Sequence, residues 1–447
     1  MLTAQPDVAV RRQLLERVSD ARLRSDALFN IVRADSMYER PIPERHRIIF
    51  YVGHLEAFDW NLLHENVLGL KSFHPEFDCL FAFGIDPVGG GLPDDQPSDW
   101  PSLEAVRDYV SKIRAALDEK LADGSLESRS VSRDGFPLDT LLNVAIEHRL
   151  MHVETLAYML HQLPLDQKVP QKELSHLATS AVVPRMIEIP AGAVTLGLPR
   201  RDETFGWDNE YEAHGVQVPG FEIDQYEVTN REYLDFMEAG GYEKRALWSD
   251  GDWNWKSAQG VSHPVFWTKA GDGWLYRGML EEIPLPLDWP VYVSHAEAMA
   301  YARWAGKSLP TEPQWHRAAY GTVDGTERIY PWGSEAPNPT LGNFDFDHWN
   351  PTPVNAFPAG GSAFGVHDML GNGWEWTSTV FGPFPGFKAF QFYPGYSANF
   401  FDGKHFVMKG GSPRTAACML RPTFRNWFQA HYQYVYAGFR CENHRSE

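Results

Sequence analysis

Apolar residues recur at helical spacing in four stretches near the start of the chain: VRRQLLERVSDARLRSDALFNIV, RHRIIFYVGHLEAFDWNLLHENVLGL, LEAVRDYVSKIRAALDEKLADG and LDTLLNVAIEHRLMHVETLAYMLHQL. Four long amphipathic segments predict a four-helix bundle over residues 1–165. GIDPVGGGLPDDQPSDWPS, between the second and third, predicts a long loop. Residues 166–184 read as a linker or a strap across the bundle. From residue 185 the period changes. Short strand-like pieces (MIEIPAGAVTLG, GVQVPGFEIDQYEVT, HFVMKGG, YVYAGFRC) alternate with loops rich in Gly, Pro, Asp and Trp, and only SHAEAMAYARWAG and TEPQWHRAAYG read as helices. The pattern predicts an irregular α+β domain over 185–447, with function carried on loops held by a stiff scaffold.

Length agrees with this division, since 447 residues exceed one ordinary core. The 14% aromatic content, with 16 Trp, suits a loop-rich domain in which large rings supply burial that regular elements do not. A net charge of -19 excludes a nucleic-acid binder, which needs a basic footprint. Cys79, Cys418 and Cys441 are odd in number, far apart and without a CxxC, so they form no disulfide framework and point to a reducing compartment. The N-terminus lacks the apolar core of a signal peptide, and no run approaches a membrane span. The expectation is a cytoplasmic protein acting on small molecules; nothing in the pattern sets an oligomeric state.

AIEHRLMHVETLAYML carries His148 and His152 one helical turn apart. At about 100° per residue, His152, Met151 and Thr155 fall within roughly 60° of His148, while Ile146, Leu150, Val153, Ala157 and Leu160 lie opposite. Two imidazoles at i and i+4 are able to meet one cation, although such pairs also arise by chance. The spacing is not HExxH, so this is no zincin. His54 lies in the apolar segment FYVGHLEAFDWNLL. A lone core histidine is more often a hydrogen-bonded structural residue, but one His from one helix and HxxxH from another would build a facial three-histidine site with open positions. That donor set suits Zn, Fe(II), Cu or Ni. His64, His74 and His161 read as surface or structural.

IEIPAGAVTLG, FEIDQYEVTNREYLDFM, SLPTEPQWHRAAYG, YPWG, VHDMLGNGWEWTST, KGGSPRT and AGFRC occur in that order. They resemble the formylglycine-generating-enzyme (sulfatase-modifying-factor) domain, a variant C-type-lectin fold. In that family copper is bound by a cysteine pair near the C-terminus; Cys418 and Cys441 have the wrong spacing, so that activity is not expected here. The N-terminal bundle resembles the DinB-like domain, which commonly holds a three-histidine metal site. The two in tandem resemble the ergothioneine-type sulfoxide synthases and selenoneine synthase. The resemblance implies a non-haem Fe(II) enzyme with O2 as co-substrate, iron on His54, His148 and His152, and attachment of sulfur or selenium to imidazole C2 of hercynine (N,N,N-trimethylhistidine).

It further implies a substrate site between the domains. FYPGYSANFFDG matches the family's paired tyrosines: Tyr393 as the proton or hydrogen donor, Tyr396 as a hercynine contact. RPTFRNWF places Asn426 and Trp427 where the family binds the imidazole and the trimethylammonium, the latter with a physical basis in cation–π attraction. The same rings also read as an aromatic loop filling space. WEWT and GFRC read as scaffold. There are departures. One branch of the family grips γ-glutamylcysteine with an Asp and an Arg where this chain has Phe428 and Tyr432, which make no ion pair with a zwitterion. That branch also has a Gln touching the imidazole where this chain has Met151. A phenolic and aromatic pocket suits a hydroxyl-rich donor, so the reading leans to selenoneine synthase with a selenosugar, the alternative being an ergothioneine sulfoxide synthase using cysteine or, less well matched, γ-glutamylcysteine. Two other classes stay open: a zinc-dependent DinB-type thiol transferase, and a non-catalytic binding protein with structural histidines.

Overall fold

A computed structural model of the chain describes residues 6–82, 92–122, 131–132, 135–170, 176–177, 182–201 and 204–444. The chain divides into two compact units, Met1–Lys172 and Glu173–Glu447. No helix among the described residues is long and apolar enough to cross a membrane.

The first unit contains α1 (Pro6–Phe29), α2 (Ile48–Leu63), a short α3 (Pro75–Leu80), α4 (Leu103–Ala122) and α5 (Leu138–Gln162). α1 packs on α5, and α2 packs on α3, α4 and α5. α4 shows the expected single apolar stripe, burying Val106, Tyr109, Ile113, Leu117 and Leu121 at three- and four-residue steps. α2 and α5 depart from that expectation. Both are buried on nearly every face, the His-bearing face of α5 included. A helix enclosed by neighbours needs partners for each polar group it carries, and those partners build the site below. Part of the segment expected to be a linker is tied to the bundle: the N–H of Arg33 donates to the Gln167 carbonyl at 3.2 Å and that of Val169 to the Ile31 carbonyl at 2.7 Å. The first part of the loop predicted over 84–102 lies outside the described residues.

The second unit runs β1 (Met186–Ile189), β2 (Gly192–Leu196), β3 (His214–Val218), β4 (Phe221–Asp224), α6 (Asn230–Glu238), α7 (Asp250–Gln259), β5 (Trp267–Ala270), β6 (Gly273–Arg277), β7 (Glu282–Pro284), α8 (His295–Trp304), α9 (Glu312–Tyr320), β8 (Gly373–Val380), β9 (His405–Gly411), β10 (Asn426–Gln429), β11 (Ala437–Gly438) and β12 (Glu442–His444). The sheets are β1-β4-β12, β10-β9-β8-β11, β2-β3 and β5-β6-β7. In the four-stranded sheet β9 is antiparallel to both β8 and β10, and β11 joins parallel to β8. A core including Ile189, Phe221, Ile223, Trp315, Val366, Met369 and Leu420 underlies the unit. Two helices were not expected. α6 starts from a reciprocal cap between Thr229 and Glu232, and α7 starts from Ser249, whose side chain accepts from the Asp252 N–H, and ends at left-handed Gly260. The WEWT and GFRC motifs are scaffold: Glu375 and Arg440, both 0% exposed, form a paired salt bridge with Nε–Oε2 at 2.6 Å and Nη2–Oε1 at 2.8 Å.

Candidate metal centre and aromatic site

α2 delivers His54 to the face of α5 that carries His148 and His152. One ligand atom from each of the three lies within 4.8 Å of the others, and all three residues are buried. The Nε2 atoms of His148 and His152 are 3.1 Å apart. That separation is short enough for both nitrogens to face one ion. His54 orients through its other nitrogen: Nδ1 stands 2.7 Å from the Phe81 carbonyl. A carbonyl only accepts, so Nδ1 is the protonated atom and the Nε2 lone pair has no hydrogen-bond partner among the described residues. Phe50 stacks on His54 at 4.8 Å and Phe58 on His148 at 3.4 Å, while Tyr51 approaches His152 at 5.9 Å. Burial pushes the His54 imidazole down to about 4 and those of His148 and His152 well below their ordinary range, with the neighbouring imidazoles and Arg149 adding to the effect. Three neutral nitrogen donors in a buried site fit a divalent ion of the iron-to-zinc series, and three protein donors leave coordination positions for substrate. Met151, half-buried, stands on the same face of α5.

Sequence reasoning missed what surrounds the triad. Arg149, next to His148 and 2% exposed, donates from Nη2 to the Leu55 carbonyl at 3.0 Å and to Asp59 at 2.6 Å, and pairs with Glu56 at 2.8 Å. One guanidinium thereby fixes α5 against the turn of α2 that follows His54. The available signal was a charged residue inside an apolar helix.

In the second unit the expected substrate residues fall into two groups, because successive side chains of a strand point to opposite faces. On one face of β10, Trp427 lies over Phe381 (4.2 Å, 6°) and meets Tyr396 edge-on (5.5 Å, 80°). Tyr396, 9% exposed, stacks on Trp207 at 4.0 Å, and half-buried Tyr393 is 5.6 Å from it. The wall is braced from behind: Arg425 sits over Phe381 and Phe384 and makes a buried pair with Glu312, and Ser397 donates to Asp208 at 2.6 Å. Phe428 lies on the other face, paired across strands with Phe406 and stacked on Tyr432 (4.9 Å, 14°). Asn426 shares the register face of Phe428, and its amide oxygen accepts from the Trp427 N–H at 2.9 Å.

Residues 171–445 match the Sulfatase-modifying factor enzyme 1-like domain and residues 17–156 the DinB superfamily. The chain is 38% identical to the hercynine oxygenase of Mycobacterium tuberculosis over 75% of this chain and 76% of that one. It is 37% identical to the hercynine oxygenase of Mycolicibacterium smegmatis over 85% and 89%. The chain belongs to the hercynine oxygenase family. Membership places it among oxidative enzymes; the DinB segment holds the histidine triad and the sulfatase-modifying-factor-like segment holds the aromatic groups. Ergothioneine biosynthesis protein 1 of Neurospora crassa is 30% identical over 91% of this chain, which spans 55% of that longer protein. The helical bundle and the α+β domain of this hercynine oxygenase relative are the two parts expected from its sequence.

Proposed function

We propose that this chain is a non-haem Fe(II), O2-dependent enzyme that forms a carbon–selenium bond at imidazole C2 of hercynine, with a selenosugar as donor. The observation that carries the reading is the buried triad of neutral imidazoles, in a chain similar to proteins named hercynine oxygenase. His54, His148 and His152 would hold the iron. Iron, when bound, supplies the electron transfer that lets O2 react with a closed-shell substrate and offers open positions to bring the two together.

The remaining roles belong to side chains. Trp427 presents an aromatic face to the trimethylammonium. Asn426 offers an amide to the imidazole. Met151 gives the substrate ring an apolar neighbour and no hydrogen bond. Tyr393 donates a proton or hydrogen to the reduced oxygen, and Tyr396 helps hold hercynine. Phe428 and Tyr432 bear no charge to pair with an amino acid or peptide donor, and their parallel rings match the apolar faces of a sugar. Replacement of iron by zinc would therefore end turnover.

A second reading has sulfur in place of selenium, with cysteine or γ-glutamylcysteine as donor. The similarity to proteins named ergothioneine biosynthesis protein 1 favours it. The test is anaerobic loading with Fe(II), then hercynine and O2 with a 1-seleno-sugar, cysteine or γ-glutamylcysteine in separate reactions, read by mass spectrometry. A selenium adduct formed only with the sugar supports the first reading. A sulfoxide formed from cysteine replaces it with the second. Hercynine left unconsumed in every reaction overturns both.

A further inference from the structure

Tyr393 and Tyr396 sit on a stretch without regular structure: among the described residues no helix or strand lies between β8 and the 3-10 turn Ala398–Phe400. Within it the Tyr393 N–H donates to the Phe390 carbonyl at 3.2 Å, and the Tyr396 N–H to the Tyr393 carbonyl at 3.2 Å. Two such turns shape the loop but do not place it; what holds its ends does. Both ends meet one residue. Asp208, 0% exposed, accepts from the Ser397 hydroxyl at 2.6 Å, and the Phe390 N–H reaches the same carboxyl group. Phe390 and Ser397 bracket the two tyrosines. Hydrogen bonds to a carboxylate are stronger than those to a neutral acceptor, and a buried carboxylate has few other partners to turn to. The turn that carries Asp208, Asp208–Glu210, is in turn fixed to the chain entering β10. Trp207 stacks on Tyr396, the Asn209 carbonyl accepts from Arg425 Nη1 at 3.4 Å, and Glu210 pairs with Arg421 at 2.5 Å. Arg425 directly precedes Asn426 and Trp427.

We infer that Asp208 is a positioning residue for Tyr393, tying both ends of its loop to the turn that also holds Tyr396 and the start of β10. The inference rests on the reading above in which Tyr393 donates a proton or hydrogen. Such a donor acts only from within hydrogen-bond reach of its acceptor, and a displacement of about 1 Å costs roughly 100-fold. Tyr396 has the Trp207 indole to lie on, whereas Tyr393 stands half-buried beside it, so the loop ends decide where its hydroxyl stands. Ser397→Ala removes the hydroxyl donor and leaves the Phe390 N–H. Asp208→Asn keeps one side-chain oxygen for Ser397 and removes the charge.

The test places 3-fluorotyrosine at position 393 of the full-length protein, loaded with diamagnetic zinc, and reads its fluorine resonance. Ser397→Ala and Asp208→Ala are expected to shift or broaden that resonance, and Asp208→Asn to restore it in part. Turnover is then measured on the Fe(II)-loaded protein with hercynine, O2 and whichever of a 1-seleno-sugar, cysteine and γ-glutamylcysteine gives product. The expected result is a kcat lower by about tenfold or more in Ser397→Ala and Asp208→Ala, the hercynine KM staying within about twofold. Neither change is expected to add to the loss in Tyr393→Phe, because both act through that hydroxyl. Ser397→Ala, the smaller change, carries the test where Asp208→Ala fails to fold. An unchanged resonance, a loss confined to KM, or losses that multiply with that of Tyr393→Phe would overturn the positioning role. The resonance decides the point even where no donor gives product. Tyr393→Phe at the wild-type rate, with the resonance moved in the variants, would leave Asp208 holding the loop and remove Tyr393 as the donor.

Discussion

The His54 imidazole donates from Nδ1 to the Phe81 carbonyl at 2.7 Å, and the Phe81 ring covers Gly53, the residue before it on α2. A Cβ at Gly53 would stand 2.6 Å from that ring. Gly→Ala inside a helix ordinarily stabilises by about 1 kcal/mol. Here the gain is opposed by displacement of Phe81 and, with it, the carbonyl that fixes the His54 tautomer. Gly53→Ala is expected to fold and to lose about 10–100-fold in metal affinity, the usual effect of disturbing the partner of a ligating histidine. Titration with Co(II), followed by its visible absorption, measures it; unchanged affinity would show that Phe81 does not orient the ligand.

Arg149 clamps the helices through Asp59 and Glu56. Removing one member of a buried ion pair costs about 3–5 kcal/mol, because the remaining charge is left without compensation. Arg149→Met is expected to lose that much stability in urea. The two acids are not equivalent. Glu56 keeps Arg114, whose Nε donates to it at 2.7 Å, whereas Asp59 has no other hydrogen-bond partner among the described residues. Burial already pushes the Asp59 carboxyl up. Adding Asp59→Asn to Arg149→Met is therefore expected to recover most of the loss, and adding Glu56→Gln to recover little.

These two relationships mark the limit of what the sequence tells. That His54 joins His148 and His152 was one arrangement among those left open, and the resemblance to the DinB-like domain pointed to it; the pairing of His148 and His152 was itself legible because a helix fixes which residues share a face. Arg149, Glu56 and Asp59 were not, because periodicity treats a charge as a surface residue, and α2 and α5 are enclosed on all sides. α6 and α7 were hidden by short length and mixed composition, yet Thr229-x-x-Glu232 and Ser249 were readable helix starts. The motif residues Trp427 and Phe428 were found as neighbours in sequence; strand alternation already required them to face opposite ways.

The second unit buries Glu227, Asp368 and Glu375 around Arg440, and burial pushes Asp368 up to about 7 and Glu227 well above its ordinary range, Glu375 adding to both. A carboxyl whose folded pKa is raised gives stability that is full below its unfolded pKa and lost as pH rises through the folded value. The window for Asp368 therefore runs from about 4, the ordinary carboxylate value, to about 7. Across it the melting temperature of wild type is expected to fall relative to Asp368→Asn, with a constant difference above pH 7. The variant is a fair reference, since Asp368 has φ 53°, a conformation Asn accepts readily. Parallel melting profiles from pH 4 to 7 would show that Asp368 ionises normally.

Trp427 tests the assignment of the quaternary ammonium to the aromatic wall. Its indole is backed by Phe381 at 4.2 Å, and Phe381 by the Arg425–Glu312 pair, so the ring is held by contacts that a substitution at 427 leaves in place. A cation over an indole face is worth about 0.5–2 kcal/mol, which corresponds to roughly 2–30-fold in affinity. Trp427→Leu is expected to weaken hercynine by that factor while leaving unmethylated histidine, whose ammonium stays hydrated, nearly unaffected. Trp427→Phe, which keeps a smaller π face, should fall between. Competition binding of the two ligands to each variant gives the ratio directly. An equal loss for both would mean that Trp427 contributes shape and burial rather than recognition of the trimethylammonium, and would move that role to Tyr396 or Trp207 on the same wall.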